Sequence, residues 1–387
     1  MLNRRLHLMA LAAATLAAGA AQAQSDTVKI GVILPMTGPS ASTGKQIDAA
    51  IKLFMAQSGG KAGGKKVEVI VKDDNGTANL TARMAQELIV NDKVVAIAGF
   101  GLTPLALTAA PIATQGKTPM VVMAAATSAI TEASPYIVRT SFTLPQAAVS
   151  IAEWAPKHGI KKVATLVADY GPGNDAEKFF VDRFLLNGGQ VLEKLRTPLR
   201  GADFAPVLQK VRDAKPDALF VFLPSGQGAQ FMKQFGERGL DKAGIKLIAT
   251  GDVTDDDQLN DMGDVALGVV NSHHYSAAHP SAMNKKFVAD FEAMNKFRPN
   301  FMAVGGYDGM RLIFKGLDAT KGAGGDALLA AMKGQLFESP RGQILIDAQT
   351  RDIVQDIYIR KVEKKDGQLW NIEFDVQKAV KDPGKTK

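Results

Sequence analysis

The sequence contains no cysteine at all. That excludes a disulfide, a thiolate metal site, a cysteine nucleophile and a lipid anchor on an N-terminal cysteine. Packing alone must hold the chain together, and 387 residues are enough to bury a core unaided. Histidine is scarce as well, with five in the whole sequence, and no Ser-His-Asp arrangement emerges from their positions. Charge of one sign is also lacking. Lys and Arg outnumber Asp and Glu by 46 to 39, an excess too small and scattered to form the basic stripe of a nucleic-acid binder. No nucleic-acid partner is therefore expected. With 22% charged and 46% hydrophobic residues the composition is that of an ordinary globular protein, which excludes broad disorder. The length suits two domains.

The N-terminus carries the pattern of an export leader. Arg4 and Arg5 precede an alanine-rich run from Leu8 to Ala20, and Ala21-Gln22-Ala23 supplies a small-x-small cleavage pattern. The run falls short of the roughly 20 residues that span a bilayer. The expectation is a leader over residues 1–23, cleavage after Ala23 and a periplasmic product. Losing Arg4 and Arg5 would lower the formal charge from +7 to +5.

Beyond the leader, short apolar runs alternate with amphipathic stretches. Strands are predicted at 28–34, 67–72, 94–99 and 120–123. Between them lie helices: one with Ile47, Ile51 and Phe54 on a shared face, one over 79–90 capped by Thr77, and one over 103–115. A second series follows Arg139, with helices at 145–158, 175–187, 204–212 and 227–238 and strands at 163–168, 191–195, 218–223 and 247–249. This β-α rhythm predicts parallel sheets covered on both faces. Towards the end the rhythm changes to a long helix over 301–321, then a hairpin of 357–362 and 369–374 around Asp366-Gly367.

Several motifs suggest chemistry that their details deny. Gly38 to Lys45 resembles a phosphate loop, but the spacing is one residue too long and Gln46 stands where Ser or Thr would bind magnesium. Gly99-Phe100-Gly101 follows a strand without the third glycine of a dinucleotide fingerprint. His273, His274 and His279 lack an acidic partner at ligand spacing, and a strand would send the first two to opposite faces. They read as a solvated or hinge-region group. Asp255-Asp256-Asp257 lacks the spacing of a calcium loop and reads as a charge cluster at a helix N-terminus. No metal and no cofactor is expected.

The segment from Val94 to Thr131 is more informative. Two successive turns place small and hydroxylated residues, Thr103 in one and Ala124-Ala125-Ala126-Thr127-Ser128 in the other, after a strand and before a helix. Open α/β sheets bind ligands at that end of their strands. The free amides and dipole of a helix N-terminus favour a carboxylate there. The alternative is ordinary helix capping by Thr103 and Thr127.

These residues form part of a longer series. Ile30-Gly31-Val32, Pro35-Met36-Thr37-Gly38-Pro39, Ala98-Gly99-Phe100-Gly101, Ala126-Thr127-Ser128 and Tyr136-Ile137-Val138-Arg139 occur in that order. Asp169-Tyr170-Gly171, Phe204 with Val207-Leu208, and Gly251-Asp252 continue it. The series resembles the type I periplasmic binding proteins, in particular the leucine/isoleucine/valine-binding receptors of ABC importers, over essentially the whole mature chain.

The resemblance implies a two-lobed α/β fold with ligand trapped in the cleft and three crossovers near Ser141, His273 and Asp347. The first lobe would comprise 24–141 and 273–346, the second 142–272 and 347–387. Carried over by motif, Thr103 and Thr127 would offer hydroxyls, and Gly101 and Ala125 backbone groups, to an amino acid's carboxylate and ammonium. Tyr170 would close from the second lobe and Asp252 would meet the α-ammonium. Thr43 stands where an aromatic wall is expected, Gly226 where a tyrosine is, and Asp252 is shorter than the usual Glu. Losing two rings should enlarge the pocket for a ligand bulkier than leucine. Receptors of this kind also take aromatic acids, amides and urea derivatives. The implied function is capture of an amino acid or related small carboxylate by a monomeric, non-enzymatic receptor that docks on a membrane permease. The rivals are a sensory protein of the same fold and a periplasmic hydrolase, the latter lacking a visible activated nucleophile.

Overall fold

The structure is a computed structural model that describes residues 26–385; the leader lies outside the described residues. The first β-α series builds one sheet from β1 (Thr27–Leu34), β2 (Lys61–Ala62), β3 (Lys65–Asp73), β4 (Ala96–Gly99), β5 (Met120–Val122) and β6 (Ile137–Arg139). Their order is β2-β3-β1-β4-β5-β6, and every pairing is parallel except β2 with β3. The connecting helices are α1 (Ala41–Ser58), α2 (Ala78–Val90) and α3 (Thr103–Gln115). Strands β4 to β6 are buried at every position, which is why they read as continuous apolar runs rather than alternating ones.

The second series runs α4 (Leu144–Lys157), β7 (Lys162–Ala168), α5 (Gly171–Leu186), β8 (Gln190–Thr197), α6 (Ala205–Ala214), β9 (Ala218–Phe222), α7 (Gly228–Glu237), β10 (Lys246–Thr250), the single turn α8 (Leu259–Met262) and β11 (Val270–His273). Strands β8, β7, β9, β10 and β11 lie side by side and parallel. The chain then returns to the first sheet. Helices α9 (Ala282–Asn295), α10 (Phe301–Thr320) and α11 (Gly325–Met332) follow, and α10 lies against α1. Phe54 meets Tyr307 and Phe314 edge-on, with ring centroids 5.4 and 4.9 Å apart.

Finally β12 (Leu336–Ser339), β13 (Gly342–Ile346), β14 (Ile353–Lys365) and β15 (Gln368–Val380) extend the second sheet through antiparallel pairings. The chain thus passes between the two sheets three times. The hairpin at 366–367 is present as expected, with arms far longer than the sequence pattern suggests. The hairpin β12–β13 had no counterpart in that pattern.

Buried arginines tie the passages together. Arg341 forms an ion pair with Asp308 at 2.8 Å, both fully buried, and donates to the carbonyls of Thr140 and Ser141 in the first passage. Arg139 pairs with Asp352 at 2.9 Å, where the last passage runs beside β6. Such charges survive burial because each has a partner and carbonyl acceptors.

Candidate functional site

In the first lobe the ends of β4 and β5 face the cleft. Helix α3 begins at Thr103 with Pro104 next, and its cap residue is Leu102, whose side chain offers no acceptor. Pro104 has no amide hydrogen, and the Leu105 and Ala106 amides donate to the Leu102 carbonyl at 3.1 and 3.2 Å, so among the described residues the Thr103 amide is the one left open at the helix start. Thr127 stands before the short turn Ser128–Glu132 and likewise makes no side-chain cap. Neither hydroxyl is occupied in capping; instead Thr103 Oγ1 and Thr127 Oγ1 share a hydrogen bond of 2.8 Å. Thr77 shows the same departure: it holds the cap position of α2 without a capping bond.

Arg139 shapes the second of these loops. Its buried guanidinium donates to the carbonyls of Ala125 (3.3 Å) and Thr127 (2.8 Å). A trans peptide points its N–H opposite its C=O, so the Ala126 amide is directed away from Arg139. Ala125 itself departs from expectation as a donor, because its N–H is engaged by the Phe100 carbonyl at 3.0 Å.

The second lobe contributes Tyr170, Phe222, Ser225 and Asp252. Asp252 sits in the turn Gly251–Thr254 directly after β10 and is only 3% exposed. Its Oδ2 accepts from Thr250 Oγ1 at 2.9 Å and lies 3.6 Å from His273 Nε2. Its Oδ1 has no protein donor among the described residues. Burial, and then the nearby Asp252 carboxylate, push the Tyr170 hydroxyl far above its usual range, so it remains a protonated donor.

These groups surround one cavity. Thr43, Gly101, Thr103, Ala125 and Ala126 form the first-lobe wall. Phe142 and Leu144, just beyond the first passage, form the back, and Met302 of α10 adds to it. Tyr170 stacks near-parallel to Phe222 at 6.1 Å, so much of the second-lobe wall is aromatic. Among the described residues no Lys, Arg or His lines the cavity; the polar groups they offer an anion there are hydroxyls, amides and one opposing carboxylate.

The lobes touch around the rim. Ser42 Oγ donates to Asp257 Oδ2 at 3.0 Å, and Asn300 Nδ2 to Asp257 Oδ1 at 3.0 Å. Arg200 Nη2 donates to the Gly76 carbonyl at 2.9 Å, and the Ser128 amide to Asp175 Oδ2 at 2.8 Å. The cleft is closed.

Of the residues singled out from the sequence, Thr43, Gly101, Thr103, Ala125, Tyr170 and Asp252 line this cavity, and Thr127 reaches it through Thr103. Gly226 does not line it. With φ +96° it takes a left-handed conformation, and a side chain there would face Pro39 of the other lobe rather than the cavity. Its neighbour Ser225 takes the place instead. Phe142, Phe222, Ser225 and Met302 escaped the sequence reading. Phe222 and Ser225 stand at the end of β9, the same strand-end signal that marked Thr103 and Thr127.

Two further expectations are corrected. His273 and His274 are neither solvated nor on opposite faces. Strand β11 stops at His273, and both buried rings flank Phe142, at 4.7 and 4.9 Å. Burial lowers His273 to about 4 and holds His274 well below its ordinary range. Asp255–Asp257 are not an exposed helix-terminal cluster. Asp255 and Asp256 are buried, Asp255 bonds to Ser225, Asp256 to Asn371, and Asp257 bridges the lobes.

The profile of the periplasmic binding protein family matches residues 27–368. The chain is a periplasmic binding protein. The curated relative Leu/Ile/Val-binding protein homolog 6 of Brucella abortus is 44% identical to it over 387 residues, covering 98% of this chain and 99% of that one. Among solved structures, a solute-binding protein of an ABC transporter from Rhodopseudomonas palustris BisB5, in complex with 3,4-dihydroxybenzoic acid, is 65% identical with a TM-score of 0.92. It covers 94% of this chain and 100% of its own. Another, from Rhodopseudomonas palustris HaA2 in complex with p-hydroxybenzoic acid, is 42% identical with a TM-score of 0.90, covering 93% and 99%. This binding protein is thus an extracytoplasmic substrate-binding receptor of the ABC-transporter type, with the two-domain α/β fold of its family. That family and fold are those of substrate-binding proteins, not enzymes.

Proposed function

We propose that this receptor captures hydroxylated aromatic carboxylates of the hydroxybenzoate class. The observation that carries the reading is Asp252: a buried carboxylate which, among the described residues, has one oxygen without a donor and shares its cavity with no cationic side chain. An anionic ligand entering such a cavity must bring its own donor to Asp252, or the carboxylate stays buried and unpaired. A ring hydroxyl remote from the ligand carboxylate meets that need. The carboxylate is received by the Thr103–Thr127 hydroxyls, the α3 N-terminus and the Ala126 amide. Phe142, Phe222 and Tyr170 suit a flat ring. The ligands bound by the Rhodopseudomonas relatives support the same class.

An amino acid is the second reading, favoured by the same Asp252, which would pair equally well with an ammonium group. Titration calorimetry with 4-hydroxybenzoate, 3,4-dihydroxybenzoate, benzoate and leucine separates them. Binding of the hydroxybenzoates with benzoate at least tenfold weaker supports the proposal. Tight binding of leucine with no response to hydroxybenzoates overturns it.

The remaining architecture follows the same reading. Residues 24–141 and 273–346 serve as one lobe and 142–272 with 347–387 as the other, although the β12–β13 hairpin hydrogen-bonds to the second sheet. Capture proceeds by closure of the lobes, because Tyr170 and Asp252 reach the ligand only in the closed form. The leader is removed after Ala23, and the closed monomer hands its ligand to a membrane permease.

A further inference from the structure

A second polar station stands beside Asp252. Ser225 lines the cavity and is 8% exposed. Behind it, Asp255 is 2% exposed and accepts a hydrogen bond at Oδ2 from Ser225 Oγ, while its Oδ1 is buried without a partner among the described residues. Asp252 lies in the 3₁₀ turn Gly251–Thr254 and Asp255 is the residue that ends it. In a 3₁₀ turn, side chains three residues apart eclipse one another. The two carboxyl groups therefore project to the same side, one reaching the cavity directly and the other through Ser225.

We propose that Ser225, held by Asp255, reads a second ring hydroxyl next to the one that meets Asp252, so that the receptor selects vicinal dihydroxybenzoates over monohydroxybenzoates. This rests on the hydroxybenzoate reading above and adds the discriminating residue. A serine hydroxyl has one donor and two acceptor sites, and the Asp255 bond uses only one of them. Ser225 therefore retains hydrogen-bonding capacity towards the cavity. Ser225 donates to the Asp255 carboxylate, which leaves the serine oxygen free to accept from the second ring hydroxyl. A ligand lacking that hydroxyl makes no use of the serine oxygen, which sits between Pro224 and Phe222 in the cavity wall.

The test is calorimetric titration of the full mature chain and of Ser225→Ala with 4-hydroxybenzoate, 3,4-dihydroxybenzoate and 3-fluoro-4-hydroxybenzoate. The parent protein should bind the dihydroxy acid about tenfold more tightly than the monohydroxy acid, because a site built to bond a hydroxyl rejects the analogue without it. Ser225→Ala should bring the two within about threefold, by loss of the dihydroxy acid alone. The fluorinated acid tests the same point without altering the protein, and should bind like 4-hydroxybenzoate. Equal affinity of the parent for the dihydroxy and monohydroxy acids overturns the proposal while leaving the hydroxybenzoate reading intact. So does a preference that survives in Ser225→Ala, or a fluorinated acid that matches the dihydroxy acid. Failure of all three acids to bind the parent overturns the underlying reading instead.

Discussion

Gly171 of the second lobe and Thr127 of the first meet across the closed cleft. A Cβ placed on Gly171 would lie 2.8 Å from Thr127 Oγ1 and 3.5 Å from Thr103 Cγ2. The two threonines proposed to receive the ligand carboxylate are thus covered by a residue with no side chain, at the very start of α5.

Gly171→Ala should accordingly hold the lobes apart without disturbing either one. Overpacking of this kind costs about 1–3 kcal/mol, which predicts roughly a tenfold to hundredfold loss of ligand affinity. The melting temperature without ligand should change little if the open form absorbs the methyl group. Calorimetry on the variant checks the first point and thermal melting the second.

Asp252→Asn keeps the size of the side chain and removes its charge. Bonds to a charged group contribute about 1.5–3 kcal/mol, so 4-hydroxybenzoate affinity should fall about tenfold or more. Benzoate, which has no hydroxyl to present, should bind the variant at least as well as the parent. A variant that loses both ligands equally would assign Asp252 to the scaffold instead.

Thr127→Val tests the other end of the ligand. The hydroxyl caps no helix and bonds only to Thr103 Oγ1 among the described residues, so stability should fall by no more than about 0.5–1.5 kcal/mol. Affinity for carboxylates should drop about tenfold through loss of a hydrogen bond to a charged group. Titration with 4-hydroxybenzamide provides the control, since the neutral amide should lose less.

His273 gives the fold a pH dependence of defined sign. Burial lowers it to about 4 in the folded chain, while the unfolded chain titrates near 6.5. Between those values the unfolded state binds more protons, so the His273 contribution is complete above about 6.5 and is lost as pH falls towards 4. His274 adds a contribution of the same sign, whereas the raised buried Asp255 works in the opposite direction. The diagnostic is therefore the difference between the parent and His273→Gln in melting temperature. The parent's relative advantage should shrink steadily from pH 7 to pH 4.

Arg341 is the structural control. Replacing it with leucine strands the buried Asp308 carboxylate and frees the carbonyls of Thr140 and Ser141. Breaking a buried pair in this way costs about 3–5 kcal/mol, readable in urea denaturation. The double change with Asp308→Leu should recover much of the loss.

The β-α alternation was legible because β4, β5 and β6 are buried on both faces and read as plain apolar runs. The Thr103 and Thr127 turns were legible for a related reason, since a strand end followed by a helix start leaves amides open. Ser225 carries the same signal but was overlooked beside Gly226, where the resemblance drew attention to a missing tyrosine. The aspartate triplet misled because three adjacent carboxylates ordinarily seek water. Here Ser225, Asn371, Ser42 and Asn300 each donate to one of them from elements distant in sequence, although Asp255 Oδ1 stays without a partner among the described residues. The histidines misled because a period-two rule was extended one residue past the end of β11. The β12–β13 hairpin escaped because its strands are four and five residues long, too short for alternation to stand out.

The three passages between sheets have a consequence for biogenesis. A chain threaded through an export channel amino end first delivers β1 to β6 early, yet α10, which covers α1 through Phe314 and Tyr307, emerges only after the whole β7–β11 series. The first lobe must wait, partly bare, while the second assembles.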